Sequence, residues 1–356
     1  MAAAPAALAL YALPALCAPQ GSPSSPPAAA TTSPAAVQRL TRAVQAPTHL
    51  NYRATETLTI QDKRVTRRRT VRVVNHAPDD TRREYLSRRG EVERIIADDG
   101  HTQWEYSPAR REVIYSRSLR IDRELWQEHH LKLLLANYSV RDGGQAVLHG
   151  RKVRWLIISP RPGHLGHAKR LLVDESTGLI VRSEVASSAG GTKLISALSD
   201  LSFPKAIPAA EFAPPRRARK QTVIYERVAV LPLAALARQW KGLLMAPRRV
   251  PDGYRLESSR LLRLGRRAYV HLRYFDGLNT VSLFEEASQS AAPPSPTRRG
   301  AKVNGAPATW RLYPPLGSLS WRERGLKLTL VADLPRAEML RIADSVAGLR
   351  RRRAED

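Results

Sequence analysis

The sequence predicts an α+β protein, a curved antiparallel sheet covering helices followed by a smaller α+β domain. Three observations carry that expectation. Between residues 51 and 203, β-branched and aromatic residues alternate with polar ones in one short segment after another, separated by turn residues. A segment at 122–137 breaks the alternation with apolar residues at helical spacing. A Pro-rich basic stretch then divides this series from a second set of strands that ends in a helix. With 356 residues, 43% hydrophobic and 25% charged, the chain is long enough for two ordinary domains and too apolar to be disordered throughout.

The elements follow in order. Val37, Leu40 and Val44 are spaced for a short helix over 35–46, which Pro47 ends. "NYRATETLTI", "TVRVVNH", "VERIIADDG" and "TQWEYSP" read as strands of a meander, with Asp99-Gly100 as a hairpin turn. Leu125, Trp126, Leu131, Leu134 and Leu135 mark the helix that interrupts it, and strands resume at "QAVLHGRKVRWLIISP", "KRLLVDESTGLIVRSEV" and "KLISALSDLSF". "PKAIPAAEFAPPRRARKQ" reads as a linker. The second domain opens with "LPLAALARQWKGLLM". It continues through strands at 254–264 and 269–274, the segment "YFDGLNTVSLFEE", a low-complexity loop after residue 287, three further strands, and a terminal helix over 336–349. The expected organisation is 1–34 signal peptide and flexible linker, 35–203 first domain, 204–222 linker, 223–349 second domain, and 350–356 basic tail.

The net charge of +26 comes from 58 basic residues, only ten of them lysine, and the arginines are scattered through strands and helices alike. Such dispersal reads as a solvated basic surface rather than a phosphate-binding face, and anionic lipid or an acidic protein would be attracted to it. An apolar run from Ala2 to about Leu16 has the length of a secretory h-region and is too short to span a bilayer. It lacks the usual basic n-region. Cleavage after Cys17 would leave no cysteine and so no disulfide, whereas lipidation of Cys17 would need a small residue where Leu16 stands.

Residues 133–185, "LLLANYSVRDGGQAVLHGRKVRWLIISPRPGHLGHAKRLLVDESTGLIVRSEV", resemble the N-terminal domain of the RseB/MucB family, periplasmic regulators of the stress sigma factor sigma-E. The matching features are the leucine run into Asn137-Tyr138, the Gly150-Arg151 hairpin, Pro160 and the "DESTGL" turn. "HLRYFDGLNTVSLFEE" and "LKLTLVADLPRAEMLRIADSV" resemble the strand, Asp-Gly-Leu turn, strand and final helix of that family's C-terminal domain. The long loop at 287–300, the leader, and His149 before Gly150 depart from the pattern. The resemblance implies a half-barrel similar to the lipoprotein carriers LolA and LolB. It also implies two partners: the periplasmic part of a membrane-bound anti-sigma factor, and a lipid or lipopolysaccharide-like amphiphile.

On that reading Trp104, Tyr106, Tyr115, Trp126, Leu134 and Trp155 are lipid-groove candidates, each equally suited to filling core. Asp276, Gly277, Leu278 and Phe284 are partner-binding or interdomain candidates, with an ordinary core strand as the alternative. No cofactor and no nucleic acid are expected, and self-association stays open. His164 and His167 in "PGHLGHAK" lack a neighbouring carboxylate or cysteine to complete a metal set, and adjacent His129 and His130 point to different helix faces. No nucleophile elbow or phosphate loop occurs. The expected function is therefore a non-enzymatic, exported regulator, with a lipid or lipoprotein carrier as the alternative.

Overall fold

The protein is described by a computed structural model covering residues 32–61, 66–118, 123–186, 193–216, 218–222, 231–240, 243–264, 267–287, 300–313 and 316–349. Helix α1 (Pro34–Gln45) leads into β1 (Tyr52–Gln61), β2 (Thr66–His76), β3 (Asp80–Leu86), β4 (Val92–Asp98), β5 (Thr102–Ser107) and β6 (Glu112–Arg117). Helix α2 (Arg123–Asn137) passes without a loop into β7 (Tyr138–Leu148), followed by β8 (Arg151–Pro160), β9 (Lys169–Asp174), β10 (Ile180–Ala186), β11 (Lys193–Ser202) and β12 (Arg219–Thr222). These strands form one 12-stranded sheet in the order β12-β6-β5-β4-β3-β2-β1-β11-β10-β9-β8-β7, an open order in which every neighbour is antiparallel except β12 on β6.

Ser33 caps α1 through its hydroxyl, which accepts from the Ala36 amide at 3.4 Å, and Pro34 occupies the first turn, where its missing N–H costs nothing. The buried stripe is Ala36, Leu40 and Ala43, with Val37 packed beside it. Val44, expected on that stripe, is 40% exposed. The small alanines let the helix lie close on Val140, Leu156 and Leu171.

The second sheet contains β14 (Arg255–Leu264), β15 (Arg267–Phe275), β16 (Thr280–Ala287), β17 (Gly300–Val303), β18 (Ala306–Tyr313), β19 (Leu316–Glu323) and β20 (Leu326–Ala332), in the antiparallel order β14-β15-β16-β20-β19-β18-β17. Cross-strand pairing places Leu272, Leu283, Leu330 and Leu319 in one row, all fully buried. Against the resulting core lie α3 (Leu233–Gln239), through Leu236, and α4 (Arg336–Asp344), through Met339, Ile342 and Ala343. Burying each of these leucines contributes roughly 1.5–3 kcal/mol. The mixed antiparallel and helical architecture agrees with the α+β expectation.

Two segments differ from expectation. The helix predicted over 336–349 ends at Asp344, because the Ser345 hydroxyl donates to the Ile342 carbonyl at 2.7 Å and accepts from the Arg249 amide at 3.2 Å. Residues Val346–Gly348 (β21) instead pair with Met245–Pro247 (β13) as a two-stranded sheet. The stretch 204–222, read as a linker, is fastened to the first sheet. Phe212 is buried, its carbonyl accepts from the Trp104 indole N–H at 2.9 Å, Glu211 pairs with Arg53, and β12 extends the sheet edge. Residues 1–31 of the segment expected to be signal peptide and linker, the expected basic tail and most of the loop after residue 287 lie outside the described residues. Among the described residues no helix is long and apolar enough to cross a membrane.

Candidate functional site at the junction of the two sheets

The "YFDGLNT" hairpin closes the gap between the sheets. Asp276 caps its own turn: Oδ1 accepts from the Leu278 amide at 2.7 Å and the Asn279 amide at 2.5 Å, while Gly277 adopts φ +98°. A Cβ at Gly277 would run into the backbone of Leu133 and Leu134 in α2, so this close approach requires glycine. Leu278 packs on the first sheet's core cluster of Leu134, Tyr138, Val140 and Leu156.

The other carboxylate oxygen faces the first sheet. Asp276 Oδ2 accepts from the Tyr138 hydroxyl at 2.6 Å and lies 3.0 Å from His164 Nε2 and 3.2 Å from Asn279 Nδ2. Asn137 Nδ2 donates to the Asp276 carbonyl at 2.8 Å and the Gly253 carbonyl at 3.1 Å. His164 Nδ1 donates to the Asp252 carbonyl at 3.0 Å. Asp276 and Tyr138 are fully buried. Burial alone would raise the Asp276 carboxyl, but bonds from His164, Asn279, Tyr138 and Leu278 hold it below its ordinary range. Burial, reinforced by the Asp276 charge, pushes the phenols of Tyr138 and Tyr254 well above theirs.

Two more histidines of the first sheet meet carboxylate residues of the second. His167 Nε2 donates to the Asp333 carbonyl at 2.9 Å. Burial opposes its protonation, but the Asp333 carboxylate prevails and raises it. His130 Nε2 sits 2.6 Å from Glu257 Oε1, the other oxygen of that carboxylate, Oε2, pairs with Arg273, and the imidazole meets Phe275 edge-on at 4.7 Å. Burial, then the Arg273 charge, pushes His130 down to about 4. Its neighbour His129 is exposed, as different helix faces require. Among the described residues no group of three or more His, Cys, Asp or Glu could hold a metal ion. The junction thus has the chemistry of a clasp: a buried anion surrounded by donors.

A family model, the MucB/RseB N-terminal domain, matches residues 35–215. The chain belongs to the MucB/RseB family. No curated protein matches the chain by sequence. Among solved structures, the chain is similar to the Pseudomonas aeruginosa MucA/MucB complex, at TM-score 0.58 and 18% identity over 88% of this chain and 99% of that one. It is also similar to MucB in complex with MucA(peri), at 0.57, 18%, 88% and 98%, and to MucB itself, at 0.55, 18%, 90% and 100%. These likenesses extend over both sheets and show a shared fold.

Within this MucB/RseB fold the five groove candidates whose side chains are described do not line one groove. Trp104, Tyr106 and Tyr115 share one face across β4–β6 with Ile95, Ala97 and Val113, beneath Ala218 of the returning segment. Trp155 packs with Val153, Leu172 and Val181 and is covered by the Arg170 guanidinium at 4.5 Å. Leu134 belongs to the cluster containing Leu156, the strand neighbour of Trp155, so Leu134 and Trp155 lie on opposite faces of the sheet. The side chain of Trp126 lies outside the described residues.

Of the partner-binding candidates, Asp276, Gly277 and Leu278 are enclosed in the junction, which is the interdomain alternative. Phe284 lies apart, stacked on His271 at 4.4 Å. Tyr138, Asn137, Asn279 and Asp333 also join the site, although none of them was among the site residues expected from the sequence. The histidines of "PGHLGHAK" were visible, but the carboxylate that meets His164 lies 112 positions further along the chain.

Proposed function

We propose that this chain is a non-enzymatic, exported regulator. It binds the periplasmic segment of a membrane-bound anti-sigma factor and modulates sigma-factor-dependent transcription of the envelope stress response. One observation carries the reading: the likeness to MucB, which has been solved with MucA bound, extends over both sheets, and a lipid carrier built on the first domain would not need the second. With Asp276, Gly277 and Leu278 enclosed, they act on a partner through the junction, and Phe284 is the candidate for direct contact.

Sensing of an amphiphile is part of the same proposal. A cavity of about 340 Å³ between the Leu148–Arg151 hairpin and β11 is walled by Leu148, Val153, Val181, Leu198 and Leu201, with His149, Arg151, Ser199 and Asp200 on its polar side. An acyl chain there gains about 0.8 kcal/mol per buried CH₂. Of the predicted groove residues, Trp155 packs in the cluster that walls this cavity. The test is a pull-down of the full chain, expressed with its leader, from envelope extract, followed by mass spectrometry of bound protein and extracted lipid. Recovery of a single-span membrane protein with a cytoplasmic sigma-binding segment is expected. Recovery of lipid or lipoproteins alone would replace the regulator with a carrier.

A further inference from the structure

We propose that the first sheet ends in an arginine-tipped rim that seats on an anionic phospholipid surface. The arginines are scattered along the chain, but the antiparallel order of the strands gathers a set of them at one place. β1 and β2, β3 and β4, and β5 and β6 are joined at the same end of the sheet. Each joint carries an adjacent pair: Arg67-Arg68 at the start of β2, Arg88-Arg89 in the β3–β4 turn, and Arg110-Arg111 in the β5–β6 turn. All six are exposed. The turns at the opposite end of these strands carry Asp79 and Asp80 between β2 and β3, and Asp98 and Asp99 between β4 and β5. Neither of those turns holds a Lys or Arg. This end of the sheet is therefore cationic and the other anionic, a separation that evenly dispersed charge lacks.

Local structure fixes the tips. Ser87 Oγ accepts from the Arg89 and Glu91 amides at 3.1 and 3.2 Å, and the Ser87 amide donates to the Glu91 carbonyl at 2.8 Å, so Arg88 and Arg89 stand on a tied turn. The Arg110 amide donates to the Ser107 carbonyl at 3.2 Å. The Arg111 carbonyl accepts from the Arg219 amide at 2.7 Å, which brings a further exposed arginine, at the head of β12, beside the pair. Neighbouring carboxylates are engaged elsewhere: Glu93 with Arg69 at 3.5 Å, Glu105 with Arg94 at 3.7 Å and Glu112 with Arg219 at 3.7 Å. Exposed Glu91 is the acid the rim retains, and among the described residues none of the six tip guanidinium groups pairs with a carboxylate. Successive tips are two strand spacings apart, about 10 Å. Such a row presents phosphate-binding forks to several headgroups at once, whereas a small soluble anion engages one tip. On the exported reading above, the extended phosphate surface within reach is the membrane that anchors the partner; the test below uses neither partner nor export, so either idea can fail alone.

In the experiment the full chain is sedimented with vesicles of phosphatidylcholine alone and of phosphatidylcholine carrying one-third phosphatidylglycerol. The parent is expected to partition onto the anionic vesicles and to be released by high salt, which screens exposed charges. R67S/R68S and R88S/R89S should each weaken partitioning, by roughly fivefold for every arginine removed. R248S/R249S takes the same charge from an exposed pair in the second domain and should stay within about twofold of the parent. Equal partitioning onto the two kinds of vesicle overturns the proposal, as does a loss in R248S/R249S that matches the rim variants, since net charge alone would then be acting. A second measurement leaves every arginine in place. An environment-sensitive dye on A109C, at the exposed tip of the β5–β6 turn, should shift to shorter wavelength on anionic vesicles, while the same dye on H101C, exposed at the opposite end, should not. No shift at A109C, or an equal shift at H101C, overturns the rim.

Discussion

Replacing Asp276 with alanine removes the acceptor around which the junction is built, and the consequence can be worked out from its neighbours. The Leu278 and Asn279 amides lose their turn acceptor, the Tyr138 hydroxyl loses its 2.6 Å partner, and His164 Nε2 is left facing a void. Because Asp276 is fully buried, water cannot replace these bonds without opening the interface. Breaking a buried pair by removing one partner typically costs 3–5 kcal/mol, and D276A is expected to fall in that range. D276N keeps the Oδ1 contacts and should lose less, about 1–3 kcal/mol. The assay is guanidinium unfolding followed by fluorescence and circular dichroism together. D276A should shift the midpoint downward and split one transition into two, as the cores cease to unfold together. A double-mutant cycle with Y138F isolates the shared term. A loss below about 1 kcal/mol for D276A, with a single unsplit transition, would refute the view that this carboxylate holds the sheets together.

G277A combines a positive φ with a clash against the α2 backbone and should destabilise by more than about 2 kcal/mol, whereas G90A, with the same sign of φ and open space around it, should cost only about 1 kcal/mol; thermal melts compare the two. Glu285 offers a pH test within the second core. It is fully buried, its Oε2 accepts from the Met245 amide at 3.0 Å, and burial, only partly offset by that bond, raises its carboxyl to about 8. With the unfolded carboxyl near 4.3, this raised group favours folding fully below pH ~4, and its contribution declines as pH rises toward 8. The decline is on the order of 3–5 kcal/mol, and urea titrations at pH 5 and pH 8 should show E285Q losing much of it. In the cavity, V181W should fill the space beside Leu148 and Val153 and reduce binding of a fluorescent fatty acid at least tenfold; undiminished binding would place the amphiphile elsewhere.

The alternation of Val281 and Leu283 with Ser282 and Phe284 in β16 and the Asp276-Gly277 turn were legible because both depend on residues next to one another in the chain. The same holds for the helix after Ser33 and the hairpin at Asp99-Gly100. What the local pattern misread, it misread for nonlocal reasons. Pro-rich 204–222 has linker composition, yet Phe212 and Glu211 find partners in Trp104 and Arg53 far back in the chain. Trp104, Leu134 and Trp155 look alike as apolar residues, but strand parity and helix placement assign them to different clusters and, for Leu134 and Trp155, to opposite faces.

The sequence by itself determined the class of elements, most of the strand alternation and the family resemblance, because periodicity and turn chemistry are properties of neighbouring residues. Only the tertiary structure decided that Asp276, Tyr138 and His164 form one buried site, and that the hairpin faces inward between the sheets. A hydrogen bond across 112 or 138 positions leaves no spacing signal in the chain. It exists because two separately packed cores bring an anion and its donors together where water is excluded.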